Sequence, residues 1–374
     1  MVGMERSILP MLAREVFGLE AQMAILSFIV AFGLSKAAAN YMMGKLAKTY
    51  GRKKLLLLGW LFALPVPFLL MYAPDWSWVV FANVLLGIHQ GFAWSSTVIM
   101  KIDLVGDKDR GLAMGINEFA GYLAVGLVAY ATSWVASEYG LYPYPFYLGV
   151  FLSLAGLLLS VLFLRDTQEY VHLESKENHR PVLQGLFWET SIRHPQLGSV
   201  TQAGLVNNMN DGMIWGILPM VLAAKHFSLQ ELGLVVGVYP AVWGIGQLFT
   251  GKMADHYSKK KMLFGGMLMQ AMAITVFGWS STFVLQLVAA FFLGLGTALV
   301  YPTFLVVIAE NVHPQQRAES IGVFRLWRDS GYAIGALLTG VIADSLGVLS
   351  AIYFIAGITF LSAMYIFFRM KGEG

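Results

Sequence analysis

Asn207, Asn208, Asn210 and Asp211 lie together inside one long apolar run, 199–224. At helical periodicity Asn207, Asn210 and Asp211 share a face. A carboxylate flanked by carboxamides can bind a cation, a polar molecule or a proton; the same amides can equally serve to hydrogen-bond neighbouring helices. A second acidic position, Glu5, sits beside Arg6 in the first apolar run, where the two either neutralise each other or serve a site. Aligning VGMERSILP (2–10) with DGMIWGILP (211–219) sets Glu5 opposite Ile214. His89 and Gln90 interrupt another run in GIHQG, and imidazole is the side chain suited to carry protons near neutral pH, although a lone His among apolar residues is more often structural. Lys36 is a further deep cation. GVFRLWRDSGY holds Arg325, Arg328 and Asp329, of which Arg325 and Asp329 are one turn apart and able to pair. GINEFAGY holds Asn117 and Glu118. Each ionisable group at such a position costs about 2.5–3.5 kcal/mol if the run crosses a bilayer, so it is retained mainly where it pairs or lines a wet cavity. Glu118, Lys36, Arg325, Arg328 and Asp329 are therefore expected to form one charge network.

The elements that position these groups follow from composition. Of 374 residues, 57% are hydrophobic and only 13% charged, about half the charge of a soluble domain. Apolar runs near 1–17, 21–44, 54–73, 77–101, 111–136 and 145–164 precede a mixed-charge stretch, and six more follow near 199–224, 230–251, 262–279, 282–309, 318–343 and 349–368. Most reach the ~20 residues that span a bilayer core. The sequence thus predicts an all-α membrane protein of two six-helix bundles, 1–165 and 199–374, joined by a cytoplasmic linker, 166–198, with a surface helix near Val182–Trp188. Tryptophan, tyrosine and phenylalanine are assigned to packing, lipid contact and interfacial belts. Glu5 and Arg6 break the first run, which is unlike a removable signal peptide.

Several function classes are excluded or unsupported. Cysteine is absent, which removes disulfides, thiolate metal sites and cysteine nucleophiles. No phosphate-binding G-x-x-x-x-G-K-[ST] loop, H-E-x-x-H or G-x-S-x-G segment occurs, so neither an ATP-driven pump nor an enzyme is indicated, and no cofactor or metal is expected. The net charge of +3 comes from basic residues at run ends, not from a stripe suited to nucleic acid. Lys45, Lys48, Arg52, Lys53 and Lys54 follow the second run, and Lys252, Lys259, Lys260 and Lys261 follow the eighth. Loops such as APDWSW (73–78) carry no Lys or Arg. By the positive-inside rule the basic loops, the linker and both termini face the cytoplasm of a cell (inner) membrane.

One offset of 207 residues relates the two sets of runs: Gly44 and Gly251, Gly87 and Gly294, Asp103 and Glu310, Arg110 and Arg317, Gly115 and Gly322, Gly140 and Gly347, and also Glu118 and Arg325. Parallel repeats of six spans with a site between them describe one transporter architecture. GKLAKTYGRKK (Gly44–Lys54) resembles the major facilitator superfamily signature G-x-L-A-D-R-x-G-R-K-K, and GKMADHYSKKK (Gly251–Lys261) is similar to it. In the first copy Lys48 stands where the family has Asp; the second keeps Asp255. The resemblance implies a gating loop at Gly44, Lys48, Gly51, Arg52, Gly251 and Asp255, with the inter-helix charge lock in the second copy alone. It also implies that spans one, four, seven and ten line a cavity, which makes Glu5, Arg6, His89, Gln90, Asn207, Asn210 and Asp211 candidates for binding substrate or protons. Asn83 replaces an Arg frequent in span four, and GYLAVG (121–126) lacks the proline of the exporters' span-five motif. Register against the second repeat implies a first helix shortened at its N-terminal end. The expected function is secondary active transport of a small molecule by alternating access, proton-coupled, with export favoured over uptake by the resemblance, in a monomer embedded in lipid. The alternatives are a nutrient-uptake symporter and a transport-inactive receptor or assembly factor on the same scaffold.

Overall fold

The computed structural model describes the chain apart from residues 20–21, 106–108, 178–179, 219–220, 223–224, 228 and 373–374, and apart from the side chains at 6, 10, 22–26, 177, 216 and 229–230. All its elements are helical, with no strand among the described residues. In chain order they are α1 (Val2–Glu15), α2 (Gln22–Tyr50), α3 (Arg52–Ala63), α4 (Pro65–Met71), α5 (Trp76–Leu104), α6 (Arg110–Tyr139), α7 (Pro145–Phe163) and α8 (Gln168–Glu177). After the linker come α9 (Pro195–Gly216), α10 (Leu229–His256), α11 (Lys259–Trp279), α12 (Phe283–Asn311), α13 (Arg317–Leu346) and α14 (Val348–Arg369). Among the described residues seven helices are long and apolar enough to cross a membrane, α3 and α4 together forming one of them, Arg52–Met71. Pro65 divides that span, because its nitrogen has no hydrogen to donate. Helices α9 and α13 are outside this set and hold Asn207, Asn208, Asn210, Asp211, Arg325, Arg328 and Asp329.

The chain forms two compact units, 1–104 with 120–174 and 105–119 with 175–374. In the first, Met4, Ile8, Leu9, Leu12, Phe28, Val66, Leu86 and Phe146 make a buried apolar cluster. In the second, Gly331 lets α13 lie against α9: a Cβ there would stand 2.2 Å from the carbonyl oxygen of Leu205. Gly140 and Gly347, one repeat apart, both turn the chain at positive φ, 95° and 88°, a conformation that L side chains avoid.

The linker differs from the expected surface helix. Helix forms earlier, at α8, where Glu169 in the first turn and Lys176 in the last suit the helix dipole. Of 182–188 only Leu186–Trp188 is helical, leading into a π turn over Glu189–Arg193. His194 then caps α9 by accepting from the Leu197 amide at 3.3 Å through Nδ1. Burial lowers its pKa, which favours the neutral ring this acceptor role needs.

Candidate functional site

The buried polar groups of the second unit connect across four helices. Asp211, 5% exposed on α9, accepts a hydrogen bond from the Tyr239 hydroxyl of α10. The Tyr239 ring stacks on Trp243 one turn along α10, with centroids 5.9 Å apart and planes at 26°. Trp243 meets Tyr301 of α12 edge-on at 6.3 Å. Above the Tyr301 ring sits the Arg328 guanidinium, 4.4 Å from its centroid, and Arg325 Nη2 is 3.5 Å from its hydroxyl. Arg328 Nη1 in turn pairs with Asp329 at 2.9 Å. Glu118 is buried near the start of α6, accepts from the Asn117 amide at 2.8 Å, and acts electrostatically on the Tyr301 phenol together with Arg325, Arg328 and Asp329. Four of the five charges expected in one network thus gather around Tyr301, while Lys36 belongs to the first unit, where its ammonium stands 5.8 Å from the Phe32 ring. Arg325 and Asp329, one turn apart, do not pair with each other among the described contacts; Arg328 takes Asp329 instead.

The amides of α9 divide in use. Asn210 donates to Gln270 of α11 at 2.9 Å and accepts from Thr359 of α14 at 2.8 Å, which ties three helices together. Asn207, 1% exposed, has no partner on either amide atom among the described residues. In the first unit His89 is buried with Nδ1 3.0 Å from the Gly59 carbonyl. A carbonyl only accepts, so Nδ1 carries the hydrogen and Nε2 is left as acceptor. The ring lies 4.6 Å from Trp60, and His89, Gln90, Trp60 and Trp94 help line a cavity of about 230 Å³. Glu5, 1% exposed, borders a smaller cavity with Asn83. The Arg6 side chain lies outside the described residues.

Each basic loop carries an ion pair at the repeat-related positions, but the surroundings differ. Arg52 Nε pairs with Asp103 at 3.0 Å and its Nη1 reaches the Ala47 carbonyl, while Asp166 accepts from the Lys53 amide at 2.9 Å beside Gly51. Lys48 is exposed, its carbonyl taking the Gln168 amide at 2.9 Å, and Gly44 is buried. One repeat later Lys259 pairs with Glu310 at 3.3 Å. Asp255 accepts the amides of Gly111 and Leu112 at 2.6 and 3.0 Å, so a carboxylate sits on the exposed N–H groups that open α6. The Gly251 carbonyl lies against Gly111 there.

Sequence reasoning missed Tyr239, Trp243, Gln247, Gln270 and Tyr301. Tyr239, Trp243 and Gln247 recur every four residues along one face of α10, a stripe of polar-tipped side chains that a belt assignment overlooks. No group of three or more His, Asp or Glu able to hold a metal ion occurs among the described residues.

Seven helices long and apolar enough to cross a membrane, with polar groups buried where further helices pack, define a polytopic membrane protein. A family model described as Major Facilitator Superfamily matches residues 2–201 and again 200–373. The chain belongs to this family. It is 24% identical over 338 residues to the proton-coupled antiporter flippase LtaA of Staphylococcus saprophyticus, covering 88% of this chain and 80% of that one. It is 23% identical over 346 residues to the multidrug resistance protein MdtG of Salmonella arizonae, covering 91% and 83%. Its fold is similar to that of the E. coli fucose:proton symporter FucP, with a TM-score of 0.76 at 13% identity over 99% of this chain and 95% of that one.

Proposed function

We propose that this transporter moves a small molecule by alternating access, coupled to protons, and in the outward direction. The observation that carries the coupling is Asp211, buried midway along α9 with the Tyr239 hydroxyl on its carboxylate. A carboxylate removed from water is costly to keep charged, and one hydrogen-bonded partner makes its protonation sensitive to what else binds nearby. Asn207 lies one turn before it and His89 and Gln90 border a cavity in the first unit, which makes these the further binding positions. The names of the relatives support export and proton coupling; the likeness to a symporter supports the fold alone. The basic loops and both termini are assigned to the cytoplasm on the positive-inside rule.

Proteoliposomes loaded with a pH-sensitive dye and screened against a compound panel test this reading. Compound-dependent proton movement is expected for the natural chain. Asp211→Asn, which keeps the size and removes the charge, should insert normally and lose that movement by roughly 10²-fold, the effect of deleting a proton-transfer group. An unchanged rate and pH profile would remove Asp211 from the mechanism.

A further inference from the structure

His89 of α5 keeps its Nδ1 hydrogen on the Gly59 carbonyl of α3, 3.0 Å away. Its Nε2 is then a bare acceptor, which can be satisfied only by a donor. His89 lines the cavity of about 230 Å³ in the first unit. Gln90 lines it too and adds a carboxamide able both to donate and to accept. Two indoles stand in the same wall, each seated against a glycine: a Cβ at Gly156 would lie 2.1 Å from the Trp60 ring, and one at Gly121 would lie 2.3 Å from the Trp94 ring. The Trp60 and His89 rings are 4.6 Å apart. Leu86, Val125, Val128 and Leu152 supply apolar wall, residues 1–3 close one side, and no Asp, Glu, Lys or Arg lines the cavity among the described residues.

We infer that this cavity binds a neutral aromatic compound bearing a hydrogen-bond donor, of the phenol or indole class. The hydroxyl or N–H donates to His89 Nε2, and the ring lies against the indoles of Trp60 and Trp94. The size fits, since an apolar cavity of about 150 Å³ holds benzene and the larger volume here admits a substituted or fused ring. A charged ligand would leave water for a wall with no opposite charge, which costs far more than burying a hydroxyl that finds an acceptor. The aromatic wall favours a planar body through offset or edge-on contact, and a mostly apolar pocket with a few convergent polar groups is the usual form of a small-molecule site. The inference deepens the transport reading by naming what the His89 and Gln90 positions take, and rests on it only for the statement that what binds is carried.

The test is binding to the purified full-length chain in detergent, read from the fluorine NMR linewidth of probes that share one ring: 4-fluorophenol, 4-fluoroanisole, 4-fluorobenzoate and 4-fluorobenzylamine. Excess phenol serves as competitor, which separates the cavity from the detergent. 4-Fluorophenol should broaden and be released by phenol. 4-Fluoroanisole, which lacks the donor, should bind roughly fivefold more weakly, the effect of one neutral hydrogen bond, and the two charged probes should show no competed broadening. His89→Leu should bring 4-fluorophenol down to the anisole level and leave 4-fluoroanisole as it was, a split that lost packing alone would not give. The exposed Leu127→Ala should bind as the natural chain does. If His89→Leu does not fold, Ala124→Leu fills the cavity from its apolar wall and should abolish binding of both neutral probes. The inference falls if 4-fluoroanisole binds as tightly as 4-fluorophenol, if a charged probe competes as well, if no probe binds the folded chain, or if the folded site variant binds like the natural one. 4-Fluorophenol that binds but is not moved in proteoliposomes leaves the cavity's ligand class standing and counts against transport; proton movement driven by a compound of another class, with no 4-fluorophenol bound, does the reverse.

Discussion

Arg52 and Asp103 are only 3% and 0% exposed at their side chains, whereas Lys259 and Glu310, one repeat later, are 14% and 31% exposed. The same sequence relation has therefore produced two ion pairs of unequal weight. Removing one member of a buried pair leaves an uncompensated charge and costs about 3–5 kcal/mol, while an exposed pair contributes about 0–1 kcal/mol. Arg52→Gln should therefore destabilise the protein by about 3–5 kcal/mol and Lys259→Gln by no more than about 1 kcal/mol, read from denaturant unfolding in detergent. Equal losses would show that burial is not what separates them. At this scale the sequence was partly legible. Asp103 and Glu310 emerged as repeat partners and Arg52 as a signature residue, but that they pair across 51 residues of chain depends on how α3 packs on α5. The aromatic line from Asp211 to Arg325 was hidden for another reason: Tyr and Trp have an apolar body and a polar tip, and composition alone reports the body.

Among the elements, α12 continues through Pro302, which leaves the Ala298 carbonyl without its helical amide. The Thr250 hydroxyl of α10 donates to that carbonyl at 2.6 Å, the kind of substitution by which a proline is tolerated inside a spanning helix. Thr250→Val should cost about 1–3 kcal/mol by leaving the oxygen unsatisfied. In a Pro302→Ala background the cost should shrink, because the restored amide takes the oxygen back. Thermal unfolding of the four proteins decides it, and additive effects would sink the explanation. The end of α11 is closed comparably: Lys225 Nζ donates to the carbonyls of Phe277, Gly278 and Ser280 at 2.7, 3.1 and 2.6 Å. The existence of the spans was plain from apolar run length. Their starts were less so, since α9 begins at Pro195 with a histidine cap, four residues before its apolar run, and capping is set by side-chain geometry that hydropathy does not register.

For the molecule as a whole, the six-linker-six reading came from run count and from a constant repeat offset, neither of which needs tertiary detail, and the family match in both halves agrees with it. Orientation rests on the basic loops. In this cysteine-free chain a single cysteine introduced by Lys260→Cys should resist an impermeant thiol reagent applied to intact cells, while one introduced by Ser137→Cys should react; the opposite labelling would invert the topology. The unequal exposure of the two repeat-related ion pairs reaches further than stability. Dissolved ions screen charges over about 8 Å at physiological ionic strength, but only where water reaches. The Lys259–Glu310 clasp is open to that screening and the Arg52–Asp103 clasp is closed to it. One of the two basic loops is thereby tuned by the saltiness of the compartment it faces, and its duplicate is deaf to it.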